Sequence, residues 1–184
     1  NDIATPRTLA TESPEEAMEA FALLGCDVVT KPLFGSGGNG MLHLTDADEA
    51  WHAFQALAQE QRVIYLQEFI PCRNRDVRVL ALGGEIVACM ERRGHDYRAN
   101  INQGGTAHPY VPDATERDLA LRAARAVGTD CAGVDLLRDS SGRVLVCEVN
   151  GSPGFQALTA ATGVDVAGAI AQFLLKKCAN PSAQ

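Results

Sequence analysis

Val146-Cys147-Glu148-Val149-Asn150 sets a carboxylate and a carboxamide two positions apart inside an apolar run that reads as a buried strand. Alternate side chains of a strand share a face, so Glu148 and Asn150 point the same way. Thirteen positions before Glu148, the segment Cys131 to Arg138 reads as a second strand with Asp135 in its middle. Asp139-Ser140-Ser141-Gly142 between them has the composition of a hairpin turn. With those four residues as the loop, Arg138 pairs with Arg143 and Asp135 with Val146, which brings Asp135 onto the face of Glu148 and Asn150. A loop one residue longer or shorter breaks that coincidence.

Three oxygen-bearing side chains converging among Val, Leu and Cys need compensation, because an isolated buried carboxylate is strongly disfavoured. A hard divalent cation supplies it. All-oxygen ligation without His favours Mg2+ or Mn2+ over zinc, and magnesium held by one or two carboxylates keeps its other positions for water and substrate phosphates. The implied ligand is a nucleotide. The same residues also read as an acidic strand end facing solvent.

The formal charge of -7 argues against a nucleic-acid-binding surface, which needs clustered Lys and Arg. With 184 residues and 46% hydrophobic content the chain can bury a substantial core, as one domain or as two small lobes. Its six cysteines are scattered without CxxC spacing or a His cluster, and read as free thiols of a reducing cytoplasm. No apolar run approaches the roughly 20 residues of a membrane span. The opening, Asn1 to Thr8, reads as the exit of a strand or linker.

Helix starts are marked by Ser13-Pro14-Glu15-Glu16, Asp46 to Glu49, Asp113 to Glu116 and Asp165, the first as a capping box. The fourth helix is predicted to turn Ile170, Phe173 and Leu174 inward. Strands are predicted at Asp27 to Leu33, Met41 to Leu44, Val63 to Ile70, Val77 to Leu82, Glu85 to Glu91, Cys131 to Arg138 and Arg143 to Val149. Gly83-Gly84 marks a two-residue hairpin. Hairpins alternating with helices predict an α+β fold, its antiparallel sheets covered by helices on one side.

Between two of these strands, Gly35-Ser36-Gly37-Gly38-Asn39-Gly40 places four glycines in six positions, either a backbone flap over phosphates or a long turn. It lacks the Gly-Lys-Ser/Thr of a P-loop. Lys31 ahead of it could reach a phosphate, or could guard a sheet edge beside Pro32. Tyr65 to Ile70 ends in a polar pair whose backbone could read an adenine edge. Glu91-Arg92-Arg93, Arg98-Ala99-Asn100 and Gln103-Gly104-Gly105 concentrate arginine in an acidic chain, as an anion grip or as a solvated loop.

Taken in order, KPLFGSGGNG, LQEFI, DVRV, ERR, RAN, QGG, AGVDLL and CEVNGSPGF with the following ATGVD resemble the ATP-grasp superfamily, most of all its RimK-type glutamate ligases, from about Thr5 to Leu175. The resemblance implies two α+β lobes with antiparallel sheets enclosing a nucleotide cleft: a small lobe over residues 1–68 and a large lobe over 69–184. It implies an enzyme that activates a carboxylate with ATP as an acyl phosphate, from which an amine displaces phosphate. Glutamate is the implied amine, and the acceptor carboxylate belongs to a protein tail or to a pterin coenzyme. A non-catalytic nucleotide-binding module, and an ATP-grasp ligase for another small carboxylate, are the alternatives.

Carried over by residue, Lys31 with Gly35, Ser36, Gly37, Gly38 and Gly40 would meet the phosphates. Gln67, Glu68 and Phe69 would form the adenine hinge, Asp76 would meet the ribose, and Arg98, Ala99 and Asn100 would lie near the phosphates. Asp135, Glu148 and Asn150 would hold two metal ions, Mg2+ or Mn2+, with Glu148 bridging. Arg93 is the arginine expected to grip the acceptor carboxylate or the acyl phosphate, with Arg92 as its neighbour. Composition predicts a cytoplasmic protein that engages neither nucleic acid nor membrane, with a homo-oligomer allowed. The resemblance also implies an amino-terminal lobe preceding this chain. Asn39 stands where relatives often carry arginine.

Overall fold

A computed structural model describes residues 2–34, 37–99 and 104–179. The chain forms two compact units, Pro6–Pro71 and Asn1–Thr5 joined to Cys72–Gln184.

The Pro6–Pro71 unit carries β1 (Thr8–Thr11), α1 (Pro14–Leu23), β2 (Val28–Thr30), β3 (Leu42–Leu44), α2 (Ala47–Gln59) and β4 (Ile64–Glu68). Its antiparallel sheet has the order β1-β4-β2-β3. Proline opens α1, where its missing N–H costs nothing, and the Ser13 hydroxyl accepts from the Glu16 N–H at 3.2 Å. The expected capping box is only half formed there, because the Glu16 carboxylate accepts from the Thr11 hydroxyl instead. Asp46 caps α2 through the N–H groups of Asp48 and Glu49. Helical spacing then presents Ala17, Phe21 and Phe54 to Val28, Leu44, Ile64 and Leu66, all buried, with Phe21 and Phe54 edge to face at 6.5 Å.

In the second unit follow β5 (Arg75–Leu82), β6 (Glu85–Arg93), β7 (Thr106–Pro109), α3 (Ala114–Ala126), β8 (Cys131–Arg138), β9 (Val144–Asn150), α4 (Gln156–Thr162) and α5 (Val166–Ala179). The sheet order is β7-β6-β5-β8-β9, every neighbouring pair antiparallel. Gly83 and Gly84 both take positive φ, as a two-residue hairpin of the primed type requires. The capping box of Asp113 and Glu116 is complete.

Helices cover both faces of this sheet, not one. Val77, Val79, Val134, Leu136 and Val146 pack on Leu119, Ala120 and Ala123 of α3. On the reverse face Leu80, Ala88 and Met90 pack on Leu158 of α4 and Val166 of α5. Only Val166 of α5 is fully buried, and Leu174, expected inside, is 52% exposed. Three elements lack a strong sequence signal: β1 and β7 are short edge strands with little buried surface, and α4 starts without a side-chain cap. No single helix among the described residues is long and apolar enough to cross a membrane; α4 and α5 reach that length together only across a bend of 114°.

Candidate functional site

The hairpin of β8 and β9 departs from the simple register. Arg138 pairs with Val144, so the loop runs over residues 139–143 and has one residue more than the Asp139 to Gly142 turn implies. Asp139 stabilises that longer loop by accepting from the N–H groups of Ser141 and Arg143. Uncorrected, the extra residue would set Asp135 opposite Cys147. A β-bulge at Cys147, between the pairs Leu136 to Val146 and Asp135 to Glu148, restores the parity. Asp135 then stands directly across from Glu148, and Asn150 across from Gly133, on one face of the sheet. A side chain at Gly133 would meet Pro153 at 2.7 Å, so glycine is what lets the loop after Asn150 close over the strand.

Each of the three expected ligands has a different environment. Asp135 is buried and held twice: Arg78 takes both carboxylate oxygens, Nε at 2.7 Å and Nη2 at 2.6 Å, and Arg92 Nη2 reaches the same Oδ2 at 2.8 Å. Arg92 also grips Asp76 through Nε and Nη2, both at 2.6 Å. The compensation that the sequence argument drew from a metal ion thus comes, for Asp135, from two guanidinium groups. Glu148 is exposed, and its carboxylate makes no hydrogen bond or ion pair among the described residues. Asn150 Oδ1 accepts from the Ser152 N–H at 2.8 Å. No group of three or more His, Cys, Asp or Glu side chains gathers in metal-binding geometry among the described residues.

Burial works against ionising either aspartate, with opposite outcomes. At Asp76 it dominates over Arg92 and lifts the carboxyl to about 6, with the charge of Asp135 adding to the rise. At Asp135 burial is again the largest single influence, but Arg92 and Arg78 together exceed it and hold the carboxyl below its ordinary value. The two acids share one guanidinium, so the charge of each bears on the other.

The two arginines of ERR separate by strand alternation. Arg92 is 4% exposed and lies on the face of Asp76 and Asp135. Arg93, the one expected to grip substrate, is on the other face, half exposed and paired with Glu91. Arg98 pairs with Asp96 and lies over the Tyr97 ring, and Ala99 is buried. Asn100 lies outside the described residues.

In the Pro6–Pro71 unit, Lys31 Nζ donates to Gln67 Oε1 at 2.6 Å, and Gln67 Nε2 donates to the Thr8 hydroxyl at 3.2 Å. Gln67 is 5% exposed and pairs across the sheet with Val29, two positions before Lys31. The Glu68 carboxylate is held by Arg7, from its N–H at 2.9 Å and its Nε at 2.6 Å. Both hinge N–H groups are engaged inside the unit: Glu68 donates to the Arg7 carbonyl and Phe69 to the Asp27 carbonyl, each at 2.9 Å. The Phe69 ring stacks on His43 at 4.0 Å, and His43 Nε2 lies 2.6 Å from Asp27 Oδ1. Gly37, Gly38 and Gly40 all take positive φ, the conformation that glycine supplies without strain. Gly35 and Ser36 of the flap lie outside the described residues.

Arg78 and Arg7 are the partners that motif reading passed over. A charged residue inside Val77-Arg78-Val79-Leu80 was the available signal for the first, because a buried arginine needs an acid opposite it. Nothing local marks Arg7 as the partner of a residue 61 positions away.

The family model described as "RimK-like ATP-grasp domain" matches residues 1–174. A protein of Chromohalobacter salexigens named "Probable alpha-L-glutamate ligase" is 36% identical over 183 residues, which cover 97% of this chain and 60% of the relative. The crystal structure of a RimK domain ATP-grasp protein from Sphaerobacter thermophilus superposes with a TM-score of 0.69 at 29% identity, covering 94% of this chain and 62% of that one. The ATP-grasp ligase PsnB, in complex with a minimal precursor, Mg and ADP, shares the fold with a TM-score of 0.77 at 22% identity, over 96% of this chain and 54% of that one. The chain therefore spans about three fifths of the length of the glutamate ligase relative.

Proposed function

This chain belongs to the RimK-like ATP-grasp family, and from that membership we propose that it carries the nucleotide- and metal-binding part of an ATP-dependent carboxylate–amine ligase. In the reaction a substrate carboxylate oxygen attacks the γ-phosphorus of ATP, giving an acyl phosphate and ADP. An amine then attacks the acyl carbon, phosphate leaves with the bonding electrons, and the amine proton is released as the amide forms. Phosphoryl transfer of this kind needs positioning and charge neutralisation more than a covalent catalyst.

The observation that carries the reading is the shared face of Asp135, Glu148 and Asn150. Two carboxylates and a carboxamide oxygen are a donor set for Mg2+ or Mn2+, and the exposed, unpartnered Glu148 supplies a carboxylate that a cation can take without displacing anything. When bound, the metal would draw charge from the phosphate oxygens. Lys31, fixed by Gln67, supplies a point charge beside the glycine flap in the other unit. Glu68 keeps the end of β4 in shape through Arg7 and is proposed to act at the hinge by its backbone.

Glutamate is proposed as the amine, following the names of relatives at 36% identity, and a protein-tail or pterin carboxylate as its acceptor. The test is release of ADP from ATP in the presence of glutamate and an acceptor peptide or pterin carboxylate that supports release by the parent protein, measured with the parent and with Asp135→Asn. Release that falls at least tenfold in the variant supports the reading; equal release in both removes it.

A further inference from the structure

Arg78 occupies the carboxylate that the proposed metal site needs. Its fork meets Asp135 edge to edge, with Nε on Oδ1 and Nη2 on Oδ2, so both oxygens are engaged before any cation arrives. The pairing is built into the sheet, since Arg78 and Asp135 are directly opposed on β5 and β8 and both side chains are largely buried. Arg92 adds a second cation on Oδ2 while holding Asp76 with the rest of its fork. Around Asp135 two acids and two guanidinium groups therefore cancel. The one carboxylate of the expected ligand set left with its charge uncompensated is Glu148.

We propose that Arg78 is the resident counter-cation of the site: it holds Asp135 in the metal-free protein and competes with the divalent ion for that carboxylate. The inference rests on the reading of Asp135 as a metal ligand. Arg78 lets the sheet fold and stay folded without metal, because it satisfies a carboxylate that would otherwise be buried alone. It also keeps the site from holding a bare divalent ion tightly, since an approaching cation meets guanidinium charge at Asp135 and net negative charge only at Glu148. Tight binding then requires the ion to bring further negative charge with it, as a nucleotide's phosphates do. Arg78 thereby couples metal capture to nucleotide capture.

The competing role and a purely structural one give opposite signs for metal affinity. Mn2+ alone, titrated calorimetrically into the protein without nucleotide, should bind Arg78→Met about tenfold or more tighter than the parent, because one repelling charge has been removed next to the ligand. The same variant should melt lower than the parent in metal-free buffer and gain more in Tm on adding Mn2+. If Arg78→Met does not fold, Arg78→Lys serves, since a single ammonium cannot span both carboxylate oxygens and should give a smaller gain of the same sign. Unchanged or weaker Mn2+ binding in the folded variant overturns the proposal and leaves Arg78 as scaffolding. Asp135→Asn separates the two layers: if it binds Mn2+ as tightly as the parent, the metal assignment itself is lost, whereas lost binding with no gain at Arg78 sinks only the competition.

Discussion

Lys31 in the first unit and Asp135 in the second are both charged residues that the motifs single out, and they are held in opposite ways. Lys31 donates to a neutral carboxamide, Gln67, itself fixed by Thr8. Asp135 sits between two full positive charges, Arg78 and Arg92. The neutral Gln67 carboxamide orients the lysine without itself cancelling any charge, which suits the phosphate contact proposed for Lys31. A charged partner offsets the charge it meets, so in the proposed site Asp135 would exchange partners before serving a metal. In the proposed function Lys31 is the poised group and Asp135 the gated one.

Asp135→Ala should produce the largest effect and strike both properties at once. It strands Arg78 as a buried cation and takes one of the two acids from Arg92, at a cost of about 3–5 kcal/mol in denaturant unfolding, and it should abolish Mg2+-dependent nucleotide binding by calorimetry. Glu148→Ala breaks the comparison in a different place, because that carboxylate has no structural partner among the described residues. Its unfolding free energy should stay within about 0.5 kcal/mol of the parent while Mg2+-dependent nucleotide binding weakens by about tenfold or more. A stability loss at Glu148 as large as at Asp135 would erase the distinction between gated and free ligands.

Gln67→Ala probes the poised side. Loss of one hydrogen bond to a charged group corresponds to about 1.5–3 kcal/mol, and the loss should fall mainly on KM for ATP, with kcat less affected. A fall confined to kcat would mean that the carboxamide does more than orient the lysine. The smallest expected effect is a reactivity contrast that checks the packing behind the gated site. Burial pushes the Cys89 thiol up to about 12, with Glu116 adding to the rise, so alkylation at pH 8 should label the exposed Cys26 and Cys178 first and Cys89 last. Early labelling of Cys89 would show that the α3 face of the sheet opens readily.

Much of the fold was legible because its signals are local. The Asp113 helix start, the Pro14 start and the Gly83-Gly84 turn act over a few residues, and the structure has all three where the sequence puts them. The candidate site was legible only in part. Asp135 and Glu148 do share a face, yet by another route than the one predicted: the loop is longer, and the bulge at Cys147 restores the parity. Composition marks a turn but does not count its residues, and a bulge is chosen by how the whole sheet twists and packs. Alternation likewise says that Arg92 and Arg93 oppose each other, but only the packed sheet decides that Arg92 faces Asp135.

The sequence by itself determined which chemistry is available: oxygen ligands in strand alternation, a lysine before a glycine flap, and helix starts that space the strands. Tertiary structure alone decided the partners. Arg78 meets Asp135 across 57 positions, Arg7 meets Glu68 across 61, and the Ala4 carbonyl accepts from the Val146 N–H, which ties residues 1–5 to the later unit. Side-chain periodicity is a property of a few consecutive residues, whereas the pairing of charges across a sheet depends on register, and register is settled only when the strands have been packed against a common core.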